Sequence, residues 1–140
     1  MSMPGASSSP PNLSLDEAWR LLQDVAGAEL IDVRTTAEWN FVGVPDLTPI
    51  KKQARLVEWI DYPHGRPNPD FVAQALDGVA ADAPLLVLCR SGARSAAAGA
   101  ALLAAGRTDV HNVVAGFEGD LDPAGHRHGG WKDSLPWRQG

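Results

Sequence analysis

Cysteine is almost missing from this sequence: Cys89 is the single one in 140 residues, so no disulfide can form within the chain. A cationic surface is missing too. Lys and Arg number 12 against 17 Asp and Glu, for a formal net charge of -5. With those cations scattered, there is no basic stripe of the kind that holds a phosphate backbone, and nucleic acid is not an expected partner. Long apolar runs are absent as well. The longest uncharged stretch, Ser95 to Gly106, is closed by Arg94 and Arg107 and falls well short of the ~20 residues a membrane span requires. The first residues, Met1 to Asn12, have neither the positive flank nor the apolar core of a secretory signal. The expectation is a protein of the reducing cytoplasm with no membrane association. A chain of this length has room for one domain, burying about two thirds of its unfolded surface.

What is present has a clear order. Residues 1 to 12 carry prolines, serines and a glycine, a mixture too poor in apolar surface to offset its ordering entropy; they read as a flexible tail before a domain over 13–140. Ser14 and Glu17 form a capping box, and Leu15, Ala18, Trp19, Leu22 and Val25 recur at helical spacing. This predicts a helix over 15–26, stopped by Gly27. A β-prone run over 29–34 follows, then Thr35-Thr36-Ala37-Glu38 as the cap of a short helix. Prolines and a glycine break any period between Phe41 and Pro49, and partial alternation predicts a second strand over 55–60. Asn68-Pro69 has the chemistry of a helix start, giving a helix over 69–79. The apolar run over 84–88 predicts a central strand covered on both faces. An Ala- and Leu-rich helix over 95–105 ends at Gly106, and a last strand spans 111–115. Strands alternating with helices give the fold class α/β, a single domain with a mainly parallel central sheet of four or five strands flanked by helices on both faces.

The chemistry lies at the end of the apolar strand, in Cys89-Arg90-Ser91-Gly92-Ala93-Arg94-Ser95. Ligands of open α/β sheets bind beyond the carboxyl ends of the strands. Gly92 and Ala93 let the loop curl with its amides turned inward, and the following helix adds free donors and the positive end of its dipole. Only about 3% of an ordinary thiol is ionised at pH 7; a cradle of this kind favours the thiolate, the nucleophilic form. Cys89 is therefore the candidate nucleophile. Arg90, Ser91, Gly92, Ala93, Arg94 and Ser95 are the candidate substrate-binding residues, with either arginine able to add its charge if it turns toward the sulfur. A buried structural cysteine is the alternative, and two arginines, a glycine and a helix start suit it poorly.

These residues resemble the active-site loop of single-domain rhodaneses. Leu30-Ile31-Asp32-Val33-Arg34 with Glu38-Trp39 is similar to the family's early strand and the acidic residue after it. Val113-Val114-Ala115-Gly116-Phe117 is similar to its late strand and glycine turn, and Leu135-Pro136-Trp137 to its terminal segment. The chain departs from the pattern over Phe41 to Leu47 and in the long irregular stretch up to Pro69. The resemblance implies a rhodanese-like domain that moves a sulfane sulfur from thiosulfate or a similar anionic donor, through a Cys89 persulfide, to a thiol or cyanide-like acceptor or a protein acceptor, with no cofactor. Related phosphatases of this fold have five residues between cysteine and arginine; here four separate Cys89 from Arg94. A cysteine-dependent phosphatase or arsenate reductase, and a non-catalytic binding module, are the alternatives.

Other residues point to structure. His126 and His128 lie in a glycine-rich passage with no ligand spacing around them, as do His64 and His111 elsewhere, so no metal site is expected. Asp32 and Arg34 share one side of their strand and are placed to pair near the sheet edge. Trp19, Trp39, Trp59, Trp131 and Trp137 read as packing residues, with Trp131 within reach of the pocket rim. Glu118, Asp120 and Asp122 form an acidic turn.

Overall fold

The computed structural model describes residues 9–139. In chain order these form β1 (Asn12–Leu13), α1 (Leu15–Asp24), β2 (Glu29–Asp32), α2 (Thr36–Phe41), β3 (Val44–Pro45), β4 (Arg55–Leu56) and α3 (Phe71–Leu76). There follow β5 (Leu85–Leu88), α4 (Ala93–Ala104), β6 (Val110–Val113), β7 (Gly119–Leu121), β8 (Arg127–Gly129), α5 (Trp131–Ser134) and β9 (Trp137–Arg138). Among the described residues, five strands make one parallel sheet in the order β1-β6-β5-β2-β4.

Residues of β5 alternate between two cores, because successive side chains of a strand point to opposite faces. Leu85 and Val87 pack with Phe71 and Ala75 of α3 and Ala98 and Leu102 of α4. Leu86 and Leu88 pack on the other face with Ala18 and Leu22 of α1, and with Phe117 and Trp131. Helices therefore cover both faces of an α/β sheet, as the apolar run of β5 implies. Trp131 is completely buried, edge-on to Trp19 at 5.8 Å, and donates its indole N–H to the Pro136 carbonyl at 2.7 Å. It belongs to the core and not to a pocket rim.

The helix starts follow the sequence closely where a capping box is present. Ser14 and Thr35 each accept from the backbone three residues on, and Glu17 and Glu38 reach back. The ends differ. Helix α1 stops at Asp24, before Gly27, and Lys52 donates to the carbonyls of Val25 and Ala28, both at 2.8 Å. Burial there holds the Lys52 amine below its ordinary value. The helix expected over 69–79 is shorter, beginning at Phe71. The Asn68 oxygen still accepts from Asp70 N–H at 3.0 Å, as a cap does, while its amide donates to the Glu58 carbonyl and to Gln74, each at 2.8 Å. The strand expected over 55–60 is regular only at Arg55–Leu56, although Val57 and Trp59 still donate to Asp32 and Val33 of the β2 side.

The tail expected over 1–12 also needs correction at its end. Residues 1–8 lie outside the described residues, but Asn12 pairs with Asn112 in the sheet and Pro10 is buried. A Cβ on Gly99 of α4 would stand 2.6 Å from Pro10 Cγ. Two small antiparallel pairs were not anticipated: β7 with β8, and β3 with β9, the second clasping the C-terminal segment onto the irregular region after α2. No described helix is long and apolar enough to cross a membrane.

Candidate active site

Cys89 follows β5 directly and packs against the α3/α4 side of the sheet, 1% exposed. Two polar groups meet its sulfur: the Gly92 backbone N–H at 3.1 Å and the Ser95 hydroxyl oxygen at 3.2 Å. The loop between them turns at Gly92, φ +102°, which places the first residues of α4 above the sulfur. It is braced from behind by the turn after β6. Phe117 N–H donates to the Cys89 carbonyl at 2.8 Å, and the Glu118 and Gly119 N–H groups donate to that of Arg90 at 3.0 and 3.2 Å. The two backbones approach so closely that a Cβ on Gly116 would stand only 2.3 Å from the Arg90 oxygen.

The arginines of the motif part company. Arg94 grips Glu38 of α2 with both ends of its fork, Nη1 to Oε1 at 2.7 Å and Nη2 to Oε2 at 2.9 Å. Its hydrogen bonds go to Glu38 and not to the sulfur, while its charge still acts together with that of Cys89. Burial pushes the Glu38 carboxyl up, but the Arg94 hydrogen bonds and charge, with the Thr35 N–H and hydroxyl, outweigh it and hold it down at about 2. The same hydrogen bonds raise the Arg94 guanidinium above its ordinary value against the effect of burial. Arg90 is exposed. Ser91 is half-buried, Ala93 exposed, and Ser95 completely buried.

A cavity of about 560 Å³ opens beside the loop, its wall including Arg90, Arg94, Glu38, Phe41, Tyr62 and Glu118. Phe41 and Tyr62 are 83% and 70% exposed at its mouth, so the segment that departs from the expected pattern supplies one apolar rim. A larger cavity, about 1000 Å³, runs along β4 and includes no residue of the cysteine loop.

Asp32 and Arg34 pair as expected, with Nη2 to Oδ2 at 2.7 Å and both side chains fully buried. They lie at the end of β2, an interior strand, not at the sheet edge. Arg34 also donates to the Gly43 carbonyl at 2.8 Å and stacks on Phe117, 4.1 Å from the ring centre, so the pair ties together the elements behind the loop. His126 and His128 stand exposed on the β7–β8 hairpin. Asp122 accepts from the Ala124 and His126 N–H groups and so closes that turn.

Sequence reasoning missed two residues here. Glu38 was noted only as part of a pattern, although it is the partner of Arg94. Asn112, buried in β6, bonds to Ser95 and to Gly92; a polar residue inside an otherwise apolar strand was the available signal.

A parallel α/β sheet with a cysteine-to-arginine loop between its central strand and the next helix defines a rhodanese fold. The chain belongs to the rhodanese-like domain family, whose model matches residues 14–121. The crystal structure of Rv0390 from M. tuberculosis is 44% identical and superposes with a TM-score of 0.86, covering 95% of this chain and all of that one, 100%. An uncharacterized protein of Rickettsia conorii is 33% identical over 130 residues, 91% of this chain and 96% of that protein. The polysulfide-sulfur transferase homodimer of Wolinella succinogenes is 25% identical with a TM-score of 0.60, covering 92% of this chain and 78% of that one.

Proposed function

We propose that this protein is a sulfurtransferase that carries a sulfane sulfur as a persulfide on Cys89. The observation that supports it most is the placement of the Cys89 sulfur at the end of β5. It is held by one loop amide and one hydroxyl in a turn with only four residues before Arg94. That ring is small for a tetrahedral oxyanion and adequate for a single sulfur, which favours sulfur over phosphate or arsenate chemistry. The Wolinella relative, a polysulfide-sulfur transferase by name, supports the same class.

In the first half-reaction the Cys89 thiolate attacks the outer sulfur of thiosulfate or a similar donor. The new bond joins Sγ to that sulfur; the bond between the two donor sulfurs breaks, and its electron pair leaves with sulfite. In the second, a thiol, cyanide-like or protein nucleophile attacks the terminal sulfur, and Sγ departs as thiolate. Both leaving groups are stable anions, so no general base is required beyond ionisation of the thiol. Arg90, exposed at the cavity wall, attracts the anionic donor. Arg94, committed to Glu38, shapes the loop and contributes its field. Gly92 N–H, with the turn of Ser91 and Ala93, and the Ser95 hydroxyl stabilise the sulfur. A single working thiol with no second cysteine to form a disulfide fits a reducing cytoplasm.

Intact-mass measurement after thiosulfate treatment tests the proposal. One added sulfur is expected on the parent protein and none on Cys89→Ser, together with ping-pong kinetics. An unchanged parent mass, or Cys89→Ser turning over at the parent rate, would refute it.

A further inference from the structure

Behind Cys89 lies a buried chain of polar groups that share the Ser95 hydroxyl proton. Ser95 Oγ stands within hydrogen-bond distance of three acceptors: Asn112 Oδ1 at 2.5 Å, the Gly92 carbonyl at 3.2 Å and Cys89 Sγ at 3.2 Å. A hydroxyl has a single hydrogen to give. The amide of Asn112 is fixed in one orientation, because only its NH₂ end can face the Gly92 carbonyl, at 3.2 Å, and that same nitrogen donates to Asn12 Oδ1 of β1, also at 3.2 Å. Asn112 Oδ1 is thereby aimed at Ser95, at the shortest of the three distances. Ser95 and Asn112 are 0% and 3% exposed, so water does not compete for these positions.

We propose that Asn112 is a positioning residue that competes with Cys89 for the Ser95 hydroxyl proton. While Cys89 carries its proton, the S–H donates to Ser95 Oγ, and the Ser95 O–H donates to Asn112. When Cys89 ionises, its proton leaves to solvent and the Ser95 hydroxyl rotates to donate to the sulfur, a charged and therefore stronger acceptor. Asn112 Oδ1 then loses its donor. Ionisation is opposed by the bond it breaks at Asn112, and the serine works as a two-position proton switch. The charged groups around the sulfur are Arg90, Arg94, Glu38 of α2, the Asp32–Arg34 pair at the end of β2 and Glu118. None of them is hydrogen-bonded to the Asn112 side chain, whose partners are Ser95, Asn12 and Gly92. The inference takes Cys89 as the nucleophile but involves no sulfur donor, so its failure and that of the sulfurtransferase reading are separable.

The test is a pH titration of thiolate ultraviolet absorbance on the full chain, with Cys89→Ser as the blank. Removing the competing acceptor in Asn112→Ala, or in the similarly shaped Asn112→Leu, is expected to raise the thiolate fraction below the midpoint about tenfold, one pKa unit. Asn112→Asp keeps an acceptor in place and is expected to leave the fraction at or below that of the parent. Made in a Ser95→Ala background, the Asn112→Ala and Asn112→Leu changes are expected to have no effect. The proposal is overturned if the thiolate fraction is unmoved or lower in the folded Ala or Leu variant, if Asp raises it, or if the rise persists without the Ser95 hydroxyl.

Discussion

Glu38 offers the sharpest test of how the loop is held. Its carboxyl is held at about 2 in the folded protein against an ordinary value of 4.5, and its side chain is only 19% exposed. A carboxylate depressed in this way contributes stability that is complete above its unfolded pKa and is lost as pH falls through the folded value. Roughly 2.5 units at about 1.4 kcal/mol each gives about 3 kcal/mol, released as pH drops from about 4.5 to about 2. That is a large part of the 5–15 kcal/mol typical of a domain. The perturbation is Glu38→Gln, which keeps the shape and one hydrogen-bond acceptor but removes the charge. Urea denaturation of both proteins across this pH range isolates the effect, because Glu17, Asp46 and Asp61, whose carboxyls are also held low, are common to the two. The expected result is a gap of about 3 kcal/mol near neutrality that closes almost fully by about pH 2, where parent Glu38 is itself half protonated. A gap that stays constant over that window would refute the reasoning, since it would mean that the Arg94 pairing does not set the carboxyl.

Two further outcomes follow from the geometry of the loop. Arg90→Ala is expected to lower kcat/KM for thiosulfate at least several-fold while changing stability by no more than about 0.5 kcal/mol, as for other exposed positions; loss of stability without loss of activity would assign Arg90 a structural role instead. Gly116→Ala is expected to cost more than about 2 kcal/mol by thermal denaturation, because φ is +72° and the new Cβ would collide with the Arg90 carbonyl; a near-neutral result would show that the loop can withdraw from that turn.

Much of this architecture is written locally. The two capping boxes, the four buried residues of β5 and the motif after it depend on neighbours a few positions apart, and those are the features a linear reading captures. The helix start at Asn68 shows the limit: its oxygen accepts from Asp70 N–H as a cap does, but its amide nitrogen is spent on Glu58 and Gln74, partners no local pattern shows. Arg94 is a second case, for its partner Glu38 is 56 positions away in sequence. The site differs from its linear reading in the same way. Cysteine, glycine and both arginines were in view, while Asn112 and the direction of Arg94 depend on how β6 and α2 are brought to the loop. The clasp between β3 and β9 was not legible, since each strand has only two residues.

Gly99 carries a consequence that reaches beyond the site. A glycine in the middle of a helix is weaker than alanine by about 0.5–1 kcal/mol, and α4 keeps one where the rigid ring of Pro10 presses against its backbone. The segment around Pro10 and the helix behind the cysteine are therefore fitted to each other, and the value of a side chain at position 99 changes sign with its company. In the full chain Gly99→Ala wedges the segment before β1 off the helix; in a chain trimmed past Pro10 the same methyl only strengthens the helix. The segment that precedes β1 is thus part of the packing of α4, and a tag or truncation placed there acts on the scaffold of Ser95 and Cys89, not on a free end.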